Sequence, residues 1–287
     1  MDKLLKKILI TGSQGFTGRK LSVLLESRNK VKIYYTGISC RNECNNFYPC
    51  DLRDSESVYR MIEKILPDQI YHLAGSFDNI FYNDIASNVL TTQNILESVQ
   101  KTERKVRILL VGSAAEYGLT ESNESPIKET HPLNPASVYG LTKVYQTHLM
   151  KLYFKSFNQD VVMVRPFNLY GEGISTKLFV GRLYQQIEKL RNKKIDKIRV
   201  GNINNKRDYI SIEDAISHYE RVMEFGEKGE VYNIGSGKPV KTSTIMNEIL
   251  LKNGIDLNLV ESNCIKYSKD YDVQKIYADI TKINSIW

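Results

Sequence analysis

The chain has 287 residues, 41% of them hydrophobic and 25% charged, with a formal net charge of +7. That length sets an expectation of one or two domains around a core large enough to stand alone, and the composition excludes disordered and collagen-like chains. No apolar run approaches the ~18 residues of a membrane span. The N-terminal apolar stretch breaks too early for a signal peptide, so a cytoplasmic protein is expected.

The basic residues are scattered. The densest run, Arg191, Asn192, Lys193 and Lys194, is soon followed by Asp196. This reads as a solvated face, and neither a nucleic-acid nor a membrane partner is expected. Cys40, Cys44, Cys50 and Cys264 have no paired spacing, and His72, His131, His148 and His218 share no ligand motif. No metal site is expected, and the thiols read as ordinary reduced ones.

In chain order, Lys7 to Thr11 reads as a short buried strand, followed by a helix from Gly18 to Ser27 and a strand from Val31 to Tyr35. Ser55 to Leu66 places Val58, Met61, Ile62 and Ile65 at helical spacing and stops at Pro67. Gln69 to Leu73 is a strand, Ile85 to Val99 a helix, Arg107 to Val111 an apolar strand, Val138 to Phe157 a long helix and Val161 to Arg165 a strand. This alternation predicts an α/β fold, a Rossmann-type doubly wound parallel sheet covered on both faces. After Arg165 the alternation loosens. The remaining signals are helices at Phe179 to Arg191, Glu213 to Phe225 and Thr242 to Leu251, and short strands at Asp208 to Ser211 and Val231 to Ile234. The expected organisation is a dinucleotide-binding domain over residues 1–165, to which 206–234 returns, and a smaller C-terminal substrate-binding domain made mainly of 166–287.

Gly12, Gly15 and Gly18 form G-x-x-G-x-x-G directly after the first strand. Such a loop gives a tight turn, a close approach of backbone to a pyrophosphate, and close helix–strand packing, with the helix N-terminus facing the phosphates. Three glycines alone are also compatible with a purely structural turn; the strand before and helix after favour a dinucleotide. No acid follows the second strand until Glu43, whereas Ser39 and Arg41 would accommodate a 2′-phosphate. NADP is therefore the expected cofactor, with NAD possible, and Arg41 as a merely solvated residue is the plain alternative.

Ser113 follows the strand Arg107 to Val111, and Tyr139 and Lys143 lie four apart at the start of the long helix, on one face. A free phenol titrates near 10, and a neighbouring ammonium together with a positive oxidised nicotinamide is expected to bring it toward working range. The bland alternative is a surface Lys143 and a packing Tyr139.

Together with Asp51-Leu52, Leu73-Ala74-Gly75 and Arg165-Pro166-Phe167-Asn168-Leu169-Tyr170-Gly171, these motifs occur in the order of the extended short-chain dehydrogenases/reductases, which the sequence resembles over nearly its whole length. The resemblance implies catalysis by Ser113, Tyr139 and Lys143. It places the cofactor along Gly12, Gln14, Gly15, Phe16, Thr17 and Gly18, with Ser39, Arg41, Asp51 and Leu52 toward the adenosine. Leu73, Ala74, Gly75 and Phe167 follow the rest of the cofactor, with Tyr139 and Lys143 at the nicotinamide. Nucleotide-diphosphate sugars are the implied substrates, met by Ser113, Ala114, Glu116, Asn168, Val180 and Arg207. An ion pair with Asp208 or Asp214 is the structural alternative for Arg207.

Among the family's reactions, 4,6-dehydration is disfavoured because Ala115, two places after Ser113, cannot transfer a proton. The Gly112-to-Gly118 and Val200-to-Asp208 patterns are most similar to GDP-4-keto-6-deoxy-D-mannose reductases. A 4-epimerase with tightly held NAD and a non-catalytic dinucleotide sensor are the alternatives. The resemblance also implies a homodimer through the helices Val138 to Phe157 and Ile85 to Val99. Two departures stand out: the short segment Ser76 to Asn88, rich in Asn, Asp and aromatic residues, and a chain that stops at Trp287, where relatives continue into a last helix.

Overall fold

A computed structural model of the chain describes residues 5–39, 45–262 and 273–286. Arg41, Cys40, Cys44, Cys264 and Trp287 lie outside the described residues.

The N-terminal part alternates as expected: β1 (Lys6–Thr11), α1 (Phe16–Glu26), β2 (Val31–Gly37), β3 (Phe47–Pro49), α2 (Ser55–Ile65) and β4 (Gln69–His72). One continuous helical stretch follows, made of α3 (Phe81–Asp84), a π-helical segment (Ile85–Leu90) and α4 (Thr91–Lys101). Then come β5 (Arg107–Val111), α5 (Val138–Phe157) and β6 (Val161–Pro166). The rest comprises β7 (Asn168–Tyr170), α6 (Phe179–Arg191), β8 (Ile198–Arg199), β9 (Lys206–Arg207), β10 (Tyr209–Ser211), α7 (Ile212–Phe225), β11 (Val231–Ile234), β12 (Val240–Lys241), α8 (Thr242–Lys252), β13 (Val260–Glu261), β14 (Lys275–Ile276) and α9 (Thr281–Ser285).

Seven strands form one sheet in the order β11-β6-β5-β4-β1-β2-β3, every pair parallel. Both faces are covered, and the period of two along each strand divides the core. Ile8, Ile10 and Leu109 face α1 and α7. Leu9, Ile108 and Leu110 face α2, α4 and α5. The order reverses between β1 and β4, the switch point of a doubly wound sheet, where a crevice opens beyond the carboxyl ends of the strands.

After β6 the chain leaves this sheet and returns to it only with β11. Between and after these strands, α6 and α8 enclose a separate apolar cluster containing Val180, Leu183, Ile187, Ile245, Met246 and Ile249. Three small sheets flank it: β10 with β7, β13 with β8, and β9 between β12 and β14.

Besides the short strands of the C-terminal part, the structure departs from the sequence expectations in three places in the N-terminal half. α1 begins at Phe16, with Gly15 as N-cap, so Gly18 lies inside its first turn rather than opening it. The helix expected from Ile85 starts earlier and widens into a π-helix. β3 has only three residues and no hydrophobic alternation, so it carried no strand signal.

Candidate active site

A cleft of ≈ 910 Å³ opens at the switch point. Its lining comes from the glycine loop (Gly12, Gly15 to Gly18), the ends of β4 and β5 (Leu73, Gly75, Val111 to Ala115), Tyr139 and Lys143 of α5, and Phe167, Asn168, Val180 and Arg207.

The glycine loop is shaped by its contacts with β4. Gly12 has φ +65°, and a Cβ there would lie 2.8 Å from Ala74 N. Any other residue would be both strained and blocked. A Cβ on Gly18 would stand 2.4 Å from Gly12 O, so the first turn of α1 rests directly on the loop. Thr11 joins the two strands: Leu73 N and Ala74 N each donate to its Oγ1 at 3.1 Å. With those acceptor positions filled, the Thr11 hydroxyl proton goes to His72 Nδ1 at 2.9 Å. His72 Nε2 then carries its proton toward Thr91 Oγ1, 3.5 Å away. Burial, reinforced by the Lys143 charge, lowers His72 to about 3, so this imidazole is a neutral strut.

Tyr139 and Lys143 project from the first turns of α5, whose N-cap Ser137 accepts from Gly140 N at 3.0 Å. Ser113 follows β5, and its side chain lies near enough to the Tyr139 phenol to favour the phenolate. Lys143 Nζ donates to Val111 O at 2.9 Å and lies 5.7 Å from the centre of the Tyr139 ring. Asn88, on the π-helical stretch, clamps Ser76 at its N and O, both at 2.9 Å, and donates to Thr142 Oγ1 at 2.9 Å.

The electrostatics differ from the sequence expectation. Burial pushes the Tyr139 phenol up to about 12, with the Ser113 side chain pulling the other way and Glu116 and Asp84 adding to the rise. Burial lowers Lys143 to about 8, partly offset by Glu116 and Asp84. The phenol is therefore held protonated, and the amine is the group that titrates near neutrality. Among the protein's own groups, desolvation disfavours the phenolate more than Ser113 favours it.

The other sequence-selected residues divide. Phe167 is 6% exposed and packs on Tyr117, while Asn168 donates through Nδ2 to Asp208 O at 2.9 Å. Gln14 Nε2 donates to Ser39 O at 2.6 Å, tying the glycine loop to the chain after β2. Asp51 is paired with Arg53, and the Leu52 carbonyl accepts from Asn94. Arg207 borders the cleft, while Asp208 is fully buried and holds Ser236, Gly237 and Ala278 instead.

Glu116 is a correction. It was expected to meet the substrate, but it is 0% exposed and faces away from the cleft. Its carboxylate accepts from Arg165 Nε at 2.9 Å, Thr147 Oγ1 at 2.6 Å and Ser113 N at 2.9 Å. Conversely, Phe77, Asp78, Lys177 and Tyr219 line the cleft without having been singled out as site residues. The only sequence signal for the first two was the unusual composition of Ser76 to Asn88. Among the described residues no group of three or more His, Cys, Asp or Glu side chains converges, and no helix is long and apolar enough to cross a membrane.

The family model described as "NAD dependent epimerase/dehydratase family" matches residues 8–235, which include most of the seven-stranded sheet and of the cleft lining. The chain belongs to the NAD dependent epimerase/dehydratase family. Within this family, it is 29% identical over 276 residues to a dTDP-D-glucose 4,6-dehydratase of Dictyostelium discoideum, covering 87% of this chain but only 62% of that protein. It is 29% identical to a putative UDP-glucose 4-epimerase of Methanocaldococcus jannaschii, covering 97% and 92% of the two chains. It is 26% identical to a GDP-6-deoxy-D-mannose reductase of Pseudomonas aeruginosa, covering 89% and 83%. The fold matches that of RMD from Pseudomonas aeruginosa, solved with NADPH, at a TM-score of 0.83 and 22% identity over 98% and 91% of the chains. It also matches the UDP-glucose 4-epimerase of Thermus thermophilus, solved with NAD, at 0.81 and 21% over 97% and 92%. At those identities the structural likeness speaks for the fold alone.

Proposed function

We propose that the protein reduces the C4 ketone of a nucleotide-linked 4-keto-6-deoxyhexose, of the GDP-4-keto-6-deoxymannose type, with NADPH. The observation that carries this reading is the meeting of Ser113, a protonated Tyr139 and Lys143 in a cleft that begins at a glycine loop.

The loop fits a dinucleotide. The N-cap of α1 is Gly15, which supplies no side-chain hydrogen bond, so the first N–H groups of the helix are available to a pyrophosphate. Gly12 to Gly18, Leu73, Gly75 and Phe167 would hold the cofactor, with Ser39 and Arg41 toward its adenosine ribose. When bound, a reduced nicotinamide supplies hydride to the carbonyl carbon. Ser113 orients the carbonyl oxygen through its hydroxyl. Tyr139 delivers its phenolic proton to that oxygen as the C=O electron pair moves onto it, and burial favours this by keeping the proton on the phenol beforehand. Lys143 places a positive charge beside the developing phenolate. Ala114 and Ala115 line the cleft and bear no proton-transferring group, which argues against water elimination. Arg207 suits a diphosphate through its planar fork.

The test is a panel of GDP-, dTDP-, CDP- and UDP-4-keto-6-deoxy sugars, each with NADPH and with NADH, with products read by NMR. Tyr139→Phe should lose most turnover while keeping NADPH affinity. Wild-type turnover by that variant refutes the assignment, and a much better kcat/KM with NADH refutes the NADP preference.

A 4-epimerase that holds NAD tightly is a second reading, supported by the Methanocaldococcus relative. NAD+ carried through purification, with no net NADPH consumption, would favour it. We also propose a homodimer through the α4 and α5 region, where Leu90, Tyr145, Leu152 and Phe157 remain 37–54% exposed. Light scattering at one protomer mass would refute that assembly.

A further inference from the structure

One buried carboxylate lies outside the cleft lining and acts directly on Tyr139 and Lys143 through its charge alone. Asp84 is 0% exposed and ends α3, where the helix widens into its π-helical segment. Its two oxygens gather the chain that follows β4. Oδ1 accepts from Ser76 Oγ and, at 3.1 Å, from Asp78 N, and Oδ2 accepts from Asn79 N at 3.0 Å. Bonds of this charge-assisted kind are about twice as strong as neutral ones.

The segment 76–79 held in this way touches both walls of the cleft. Asn79 sits at φ 58°, a left-handed conformation that Asn tolerates better than most residues. Its Oδ1 accepts from Tyr139 N at 3.2 Å. That N–H belongs to the first turn of α5, where no intrahelical acceptor exists. Phe77 meets the Tyr139 ring edge-on, with centroids 6.1 Å apart. On the wall leading into α6, Lys177 pairs with Asp78 and lies 5.4 Å from the Phe77 ring centre.

We propose that Asp84 is a positioning residue. It fixes segment 76–79 as a brace that sets the Tyr139 ring from one side and, through Asp78 and Lys177, the width of the cleft on the other. The inference rests on Tyr139 being the proton donor. A displacement of about 1 Å at such a group costs on the order of a hundredfold in rate. Asp84→Asn keeps the size of the side chain but replaces one acceptor oxygen with a donor NH2. That group would face a backbone N–H, so one end of the brace is released.

The experiment uses the full chain with NADPH and GDP-4-keto-6-deoxymannose. For Asp84→Asn the expected result has three parts. Amide exchange at Tyr139 and Asn79 accelerates at least tenfold, KM for the ketosugar rises at least fivefold with a tenfold fall in kcat, and the NADPH Kd stays within twofold. Exchange and both kinetic constants within twofold of wild type would overturn the proposal. So would a loss of NADPH affinity in step with KM, which would mark general loosening. Should Asp84→Asn fail to fold, Asn79→Gly removes only the cap on Tyr139 and relieves the left-handed strain. Faster Tyr139 exchange and lower kcat are then expected, and their absence overturns the brace. An active Tyr139→Phe would defeat the parent reading while leaving the exchange result intact. A wild-type-like Asp84→Asn beside an inactive Tyr139→Phe defeats the brace alone.

Discussion

Replacing Glu116 with alanine is a sharp test of how the catalytic strand end is held. Glu116 and Arg165 are 0% and 2% exposed, and both Nε and the terminal Nη2 of the guanidinium lie 2.9 Å from Glu116 Oε2. Removing the carboxylate leaves that charge buried with only neutral partners, Tyr117 Oη and Thr147 Oγ1 at 3.2 Å and the Glu129 carbonyl at 3.4 Å. Breaking a buried pair from one side costs about 3–5 kcal/mol. The orphaned Ser113 N–H adds about 1 kcal/mol or more unless water enters the space. Against a total stability of about 5–15 kcal/mol, this is at least about a quarter of the fold's stability. Urea unfolding at an unchanged m-value reads the loss directly. The double variant Glu116→Leu/Arg165→Met removes both charges and should lie within about 1–2 kcal/mol of wild type, because replacing a whole buried pair with apolar groups is often neutral. A single variant that loses less than about 1 kcal/mol, or a double variant no more stable than the single, would refute the account.

Three further outcomes follow from the same physics. Lys143 titrates near 8 when folded and at 10.5 when unfolded, so the unfolded state binds more protons between those values. Stability should therefore rise with pH across that window, and Lys143→Met should flatten the rise in pH-dependent thermal melts. Because the amine loses its charge near 8 while Tyr139 stays protonated to about 12, kcat should fall as pH rises through about 8; a basic limb only near 10 would refute the role given to Lys143. Cys50 is pushed up to about 11 by burial and by Asp51 and Asp54, so its peptide should resist iodoacetamide at pH 8 in the native protein and react once urea is added.

The sheet was legible from the sequence because fully buried strands carry unbroken apolar runs such as Val161 to Val164, and helices such as Val138 to Phe157 carry caps at both ends. The glycine loop was legible for a related reason: its spacing records a close contact between chain segments adjacent in the fold. What spacing hides is long-range pairing. Glu116 meets Arg165 across 49 positions, and an acid three places after Ser113 looks like a substrate-facing group until its partner is seen. The π-helical turn escaped as well, because Asp84 and Asn88 earn their places by binding residues 76–79 rather than by any period of their own.

The late return of β11 has a consequence for how the chain is made. On the ribosome, β6 emerges as an open sheet margin, and the strand that shields it is synthesised only after α6 and α7. Until Val231–Ile234 appear, a nascent polypeptide carries an unpaired hydrophobic strand, the kind of edge that recruits other chains. Cleavage between those segments would not yield a free-standing N-terminal fragment, since the missing closing strand lies on the far side of the cut.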